Sequence, residues 1–293
     1  MRHITAKPVI AILLFVNSAD AAPLLRYSFD EASSGNSNAL DTGSAAPAAP
    51  GVFNGSATRT SSSPGGFSSV LDLTAGGAVG NFVATAADAD KVDALSQMTL
   101  TMWINLQGNP SSGDSLLSDR APTFPIAPAG TGGWDWTIDG VSPTASNFSV
   151  RFGTAASNGS SASFTSQGAV TSLNADHSWL FLAVTFDSTD SGRTTFYKGT
   201  QFTAPVHVGT VGLLGTTITN NVSAFRVGES GANPASDTTP PAWFDDVRVY
   251  GSVLSLAELD AVRLQNVPEP SSIVLATVAV AGLLTCGWRR KQT

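Results

Sequence analysis

The sequence predicts an all-β sandwich or barrel with one short helix near its end. Short runs alternate apolar and polar residues, as strands with one buried face do. Clusters of Gly, Pro, Asn, Ser and Asp separate those runs. Helical periodicity is almost absent. Charged residues make up only 13% of the chain, about half the usual share, which suits strands joined by many turns.

The 293 residues open with an address. Arg2, His3 and Lys7 precede an apolar run over 9–16, and Ala19 and Ala21 then form a small-x-small pattern. Residues 1–21 are read as a signal peptide cut between Ala21 and Ala22. The apolar run is too short to span a bilayer.

The strands follow in order over 22–266. Leu25-Arg26-Tyr27-Ser28-Phe29 alternates, and the Ala/Pro-rich stretch 45–50 reads as a surface loop. Alternation returns over 99–106. The stretch 110–133 is rich in Gly, Pro and Ser and is expected to include a long loop, the easiest place to build a cleft. Runs 134–139 and 148–152 alternate again. The run 179–186 is more continuously apolar, as a strand covered on both faces is. The turn 187–192 leads to 193–197, and 224–228 and 242–250 complete the set. Ser255-Leu256-Ala257-Glu258 is a capping box, in which each side chain bonds the other residue's amide. Leu256, Leu259, Val262 and Arg263 follow at helical spacing, so 256–264 reads as a helix packed on the sandwich. No repeat of solenoid or propeller type is present.

Residues 267–293 form a second address. Pro268-Glu269-Pro270 is followed by an apolar stretch over 271–288, long enough to span a bilayer, and by Arg289-Arg290-Lys291, which would stay cytoplasmic. The two prolines stop any upstream helix and hold an extended, protease-accessible segment. This arrangement closely resembles the PEP-CTERM sorting signal. The resemblance implies that an exosortase reads Pro268, Glu269 and Pro270 and that the tail is removed, in a Gram-negative bacterium that makes exopolysaccharide. The alternative is a plain C-terminal transmembrane anchor. Either way the globular part lies outside the cytoplasmic membrane.

Four pieces of 22–266 resemble a LamG-like, concanavalin A-like jelly roll. They are 25–31 with Asp41-Thr42-Gly43, then Met98-Thr99-Leu100-Thr101-Met102-Trp103-Ile104, then 179–187 with 195–199, then Phe244-Asp245-Asp246-Val247-Arg248-Val249-Tyr250 with Val253-Leu254-Ser255. The resemblance implies a jelly-roll β-sandwich with one short C-terminal helix. It does not imply one activity, because this fold hosts lectins, adhesion modules and glycosidases alike.

Composition narrows the function. The net charge is −7, and no Lys/Arg cluster lies outside the two ends, which argues against nucleic acid as a partner. The one cysteine, Cys286, lies in the C-terminal apolar stretch. The globular part therefore has no disulfide, thiolate zinc site or cysteine nucleophile. A glycosidase needs two carboxylates flanking the scissile bond. Glu31, Glu229 and Glu258 are scattered, and Asp135 and Asp139 are about 13 Å apart on a strand. His177 and His207 are the only histidines after residue 21, and no Gly-x-Ser-x-Gly elbow occurs. The chain is not expected to be an enzyme.

Binding is the stronger class. Trp134 and Trp136 flank Asp135, so both indoles point to one face of their strand. They would stack on a sugar ring while Asp135 bonds hydroxyls. Core packing is the competing and weightier reading, since one face of each strand must be buried. Trp103 and Trp179 read as core, and Trp243 is ambiguous. Asp245 and Asp246 are expected on opposite faces of the last strand, near Asp30 and Asp41. Together these four would suit a structural Ca²⁺, or Asp246 would pair with Arg226 or Arg248. Two functions remain: binding of an extracellular polysaccharide or surface glycoprotein, or a structural role in biofilm matrix without a specific ligand. An exposed aromatic cleft marks the first, and buried tryptophans mark the second. The expected partners during export are signal peptidase, the exosortase and, through the C-terminal helix, the membrane.

Overall fold

The computed structural model describes residues 21–31, 38–61, 67–74, 80–86, 91–120, 133–142, 147–154, 173–174, 178–212, 218, 223–229 and 239–265. They form an all-β jelly-roll sandwich of two antiparallel sheets with one helix.

The strands are β1 (Leu25–Tyr27), β2 (Val52–Asn54), β3 (Thr58–Thr60), β4 (Val70–Asp72), β5 (Phe82–Ala84), β6 (Gln97–Leu106), β7 (Ser115–Arg120), β8 (Gly133–Ser142), β9 (Asn147–Thr154), β10 (Leu173–Asn174), β11 (Leu180–Asp187), β12 (Arg193–Thr200), β13 (Val206–Gly212), β14 (Arg226–Val227) and β15 (Ala242–Tyr250), followed by α1 (Leu256–Gln265). The first sheet runs β13-β12-β11-β6-β15-β4-β3 and the second β10-β9-β8-β7-β14-β5-β2. One edge of β15 is shared end to end. Its first half pairs with β4 and its second half with β1.

Alternation decides what each face buries. On β11, Leu180, Leu182, Val184 and Phe186 enter the core between the sheets, beside Trp134, Trp136, Phe225 and Phe244. Phe181 and Ala183 point the other way, into a second cluster with Phe67, Trp103, Trp179 and Tyr250. Leu259 and Val262 of α1 close that cluster, so β11 is covered on both faces as its continuous apolar run predicts. The capping box forms as expected. Ser255 N–H donates to Glu258 Oε2 at 2.7 Å, and Glu258 N–H donates to Ser255 Oγ at 3.3 Å.

The structure departs from the sequence reading in three places. The stretch 110–133 contains β7, so less of it is loop; residues 121–132 lie outside the described residues. The strands β2 to β5 have three residues each, too few to show alternation. Leu256 does not pack under α1 with Leu259, Val262 and Arg263; it is exposed.

Candidate functional site

Trp134 and Trp136 face inward from β8 and are 0% and 1% exposed. The Trp134 ring lies 5.9 Å from Phe225. A sugar cannot reach either indole, so these two belong to the core and not to a binding face. Asp135 points to the other side of the strand, where it accepts the Ser115 hydroxyl at 3.0 Å and lies 4.0 Å from the Arg120 guanidinium.

The four aspartates are engaged elsewhere. Asp41 binds the Lys91 ammonium at 2.6 Å and accepts the backbone N–H groups of Arg26, Gly43 and Ala49. Burial pushes its carboxyl up, but Lys91 and these amides pull it below the ordinary 3.8. Asp30 accepts the Ser68 hydroxyl. Asp245 and Asp246 do not alternate. The pairing of β15 with β6 slips between Asp245 and Arg248, and Asp246 takes a positive φ of 45°. This bulge turns Asp246 toward Arg26 and Arg248, both at the outer face of the first sheet. Asp246 Oδ1 accepts from Arg26 Nε at 2.9 Å and from Arg248 Nε at 2.8 Å. Arg248 Nη2 and Asp246 Oδ2 form an ion pair at 2.5 Å. Both carboxyls are buried. The ordinary place for two neighbouring strand residues is one on each face, and the extra residue of the bulge cancels that rule. Among the described residues no three acids or histidines are placed to hold a metal ion together. Calcium takes about six to eight oxygens, and carboxylates already occupied by Lys91, Arg26 and Arg248 do not fit it.

An arrangement suited to a small polar ligand lies on the outer face of the first sheet, beside α1. It is a groove of about 370 Å³, within the range of small-molecule sites, about 300–1,000 Å³. Its floor continues the outer rows of three strands: Thr185 and Asp187 from β11, Arg193, Thr195 and Tyr197 from β12, and His207 and Thr210 from β13. Val253 and Leu256, at the start of α1, form one wall.

Local structure explains why these side chains meet. On β12, Thr194 and Phe196 turn inward, which leaves Arg193, Thr195 and Tyr197 outward. On β13, His207 and Thr210 are three apart and in a regular strand would face opposite ways. The register slips between Phe196 and Tyr197, so β13 carries one extra residue, and both point out. His207 Nε2 then lies 2.8 Å from Thr210 Oγ1, and Thr210 Oγ1 3.3 Å from Thr195 Oγ1. The Tyr197 and His207 rings meet edge to face, centroids 6.2 Å apart. Asp187 accepts the Thr189 hydroxyl and amide at 2.6 and 2.8 Å and the Gln97 amide at 2.9 Å. The Thr189 hydroxyl is the main reason its carboxyl sits below 3.8. Arg193 pairs with Asp190 at 3.4 Å, both well exposed, a contact that water largely screens.

The groove thus offers an aromatic edge, hydroxyls, an imidazole, a carboxylate and a guanidinium around one space. That set can bond vicinal hydroxyls and stack against a ring. The sequence held part of this signal in the outward row Arg193-x-Thr195-x-Tyr197. It did not show that His207 joins it, because the bulge depends on cross-strand pairing. His177, the side chain of Asp139 and the sorting residues Pro268, Glu269 and Pro270 lie outside the described residues. Among the described residues no helix is long and apolar enough to cross a membrane.

A family profile described as "Concanavalin A-like lectin/glucanases superfamily" matches residues 76–260. The chain belongs to this superfamily. No curated protein matches it in sequence. Among solved structures it is similar to domain 4 of AbnA, a GH43 extracellular arabinanase from Geobacillus stearothermophilus, in complex with arabinotriose. That match has 14% identity and a TM-score of 0.55, and covers 83% of this chain and 99% of the other. It is also similar to the botulinum neurotoxin serotype D ligand binding domain in complex with N-acetylneuraminic acid, with 10% identity, a TM-score of 0.55 and coverage of 83% and 51%. The binding domain of Paraclostridial Mosquitocidal Protein 1 matches with 11% identity, a TM-score of 0.54 and coverage of 83% and 52%. This chain spans about half the length of the two toxin domains. At such identities the likeness shows the fold alone.

Proposed function

We propose that this is an exported cell-surface or matrix protein of a Gram-negative bacterium whose sandwich binds carbohydrate and does no catalysis. Signal peptidase removes residues 1–21, and an exosortase processes the tail at Pro268-Glu269-Pro270. The observation that carries the binding reading is the outer-face groove, where Tyr197, His207 and Asp187 surround a space of ligand size. The same reading draws support from its fold relatives, which include a domain in complex with arabinotriose and one in complex with N-acetylneuraminic acid.

A second reading, a structural matrix protein without a specific ligand, is favoured by the tryptophans. Trp103, Trp134, Trp136 and Trp179 are all buried. One experiment separates the two: a polysaccharide and glycan screen on the full chain in a sugar-free detergent, repeated with Tyr197→Ala and with a chelator. Binding that falls at least tenfold in Tyr197→Ala, at an unchanged melting temperature, establishes the groove. Binding that survives the chelator leaves metal out of it. A folded chain that binds no glycan returns the protein to a structural role.

A further inference from the structure

We infer that the groove takes a neutral sugar bearing a methyl group, that is, an N-acetylhexosamine or a 6-deoxyhexose. The inference rests on the carbohydrate-binding reading and adds the ligand's chemistry to it.

The apolar wall carries it first. Leu256 and Val253 are 48% and 40% exposed, although Leu254 and Leu259, near them in sequence, are buried in the second apolar cluster. Helical spacing would place Leu256 under α1 with Leu259 and Val262; it opens instead onto the groove. The wall is also held in place. Thr99 Oγ1 donates to Ser252 O at 2.7 Å and accepts Leu254 N–H at 3.0 Å, so the segment that bears Val253 is pinned to β6 on both sides. The capping box fixes the first turn, which bears Leu256. Two aliphatic side chains that line the same groove as hydroxyls and an imidazole match a ligand that carries both hydroxyls and a methyl. A sugar with hydroxyls all round would leave the wall wet.

Charge excludes the acidic sugars. Asp187 and Asp190 line the groove with Arg193 as the one guanidinium, and Arg193 already faces Asp190. Asp187 is ionised by its Thr189 and Gln97 contacts. A uronate would meet two carboxylates against a single guanidinium. The whole chain, at −7, adds repulsion of the same sign.

The test is titration calorimetry of the full chain in sugar-free detergent with methyl glycosides in matched pairs. The pairs are N-acetylglucosamine against glucose and D-fucose against D-galactose, with glucuronate as the acidic arm. One methyl settled on the wall strengthens binding about fourfold. The double variant Val253→Ser with Leu256→Ser should bring the favoured pair to parity while the parent sugar binds as before. Both side chains are exposed, so the melting temperature should hold. Whichever pair shows the preference tells the acetyl source from the deoxy source. Equal binding within both pairs, a preference that survives the double variant, or glucuronate as the tightest ligand each overturns the inference and leaves carbohydrate binding standing. No binding by any sugar removes the carbohydrate reading itself, and the inference with it.

Discussion

Asp245 holds a carboxyl where water does not reach. Burial, first, and then the nearby Asp246 and Asp30 carboxylates push it well above the ordinary 3.8, against a weaker pull from the Asp246 amide and Arg26. The folded state therefore keeps a proton that the unfolded chain releases above about pH 4. Stability from this group is full below pH 3.8 and is lost as pH rises through the raised folded value. Asn keeps the oxygen that accepts Asp246 N–H at 2.8 Å and has no proton to lose. Asp245→Asn should thus stabilise the domain at pH 7 by about 1 kcal/mol, with no gain at pH 3.5. Thermal melts at both pH values check it, and an equal gain at the two would refute a protonated Asp245. The Asp41–Lys91 pair has the opposite logic. Both side chains are nearly inaccessible, so Asp41→Ala strands a buried ammonium and should cost about 3 kcal/mol in denaturant unfolding. The sequence marked Asp30, Asp41, Asp245 and Asp246 as a group with chemistry. It offered Arg248 as a partner for Asp246, and that pair forms; it did not show Arg26, because Arg26 and Asp246 are 220 residues apart.

Elements whose logic is local were legible; those set by a neighbouring strand were not. The capping box of α1 lies within four residues, and it forms with the partners the sequence names. The bulges at Asp246 and in β13 exist only against β6 and β12, so neither appears in a single-strand pattern. The same reason hid the groove. Its floor comes from three strands, and only the β12 row shows as alternation. The helix still has a consequence for the site, because it carries Leu256 and anchors the hairpin end. Arg263 Nη1 donates to Thr200 O and Gln201 O at 3.0 and 3.1 Å. Replacing Ser255 by Ala removes the acceptor for Glu258 N–H and should cost about 1 kcal/mol. A melt of the variant checks this. Hydrogen exchange should also quicken in the first turn of α1 and leave β6 and β11 unchanged.

At the scale of the molecule, the family profile begins at residue 76, but the sandwich begins earlier. The Leu25-to-Asp41 piece was legible as the opening of the fold, and the structure shows what it does. Leu25, Tyr27 and Phe29 are wholly buried in the central core, and Tyr27 OH donates to Ala49 O at 2.6 Å. The strand β1 covers the second half of β15, β4 covers the first, and Arg26 supplies half the charge that surrounds Asp246. A chain cut to 76–260 would lose β1 to β4. It would expose one whole edge of the central β15, open the core where Leu25, Tyr27, Phe29, Leu71 and Leu73 fill it, and leave Asp246 with Arg248 alone. It would also cut α1 in half and free the hairpin end from Arg263. The fragment 22–265 keeps every one of these contacts, so it should unfold in a single cooperative transition by circular dichroism and calorimetry. The fragment 76–260 should aggregate or melt without a transition. If the shorter piece melted cooperatively at the same temperature, the N-terminal strands would be an appendage, and the sandwich would be complete in the part that the family profile covers.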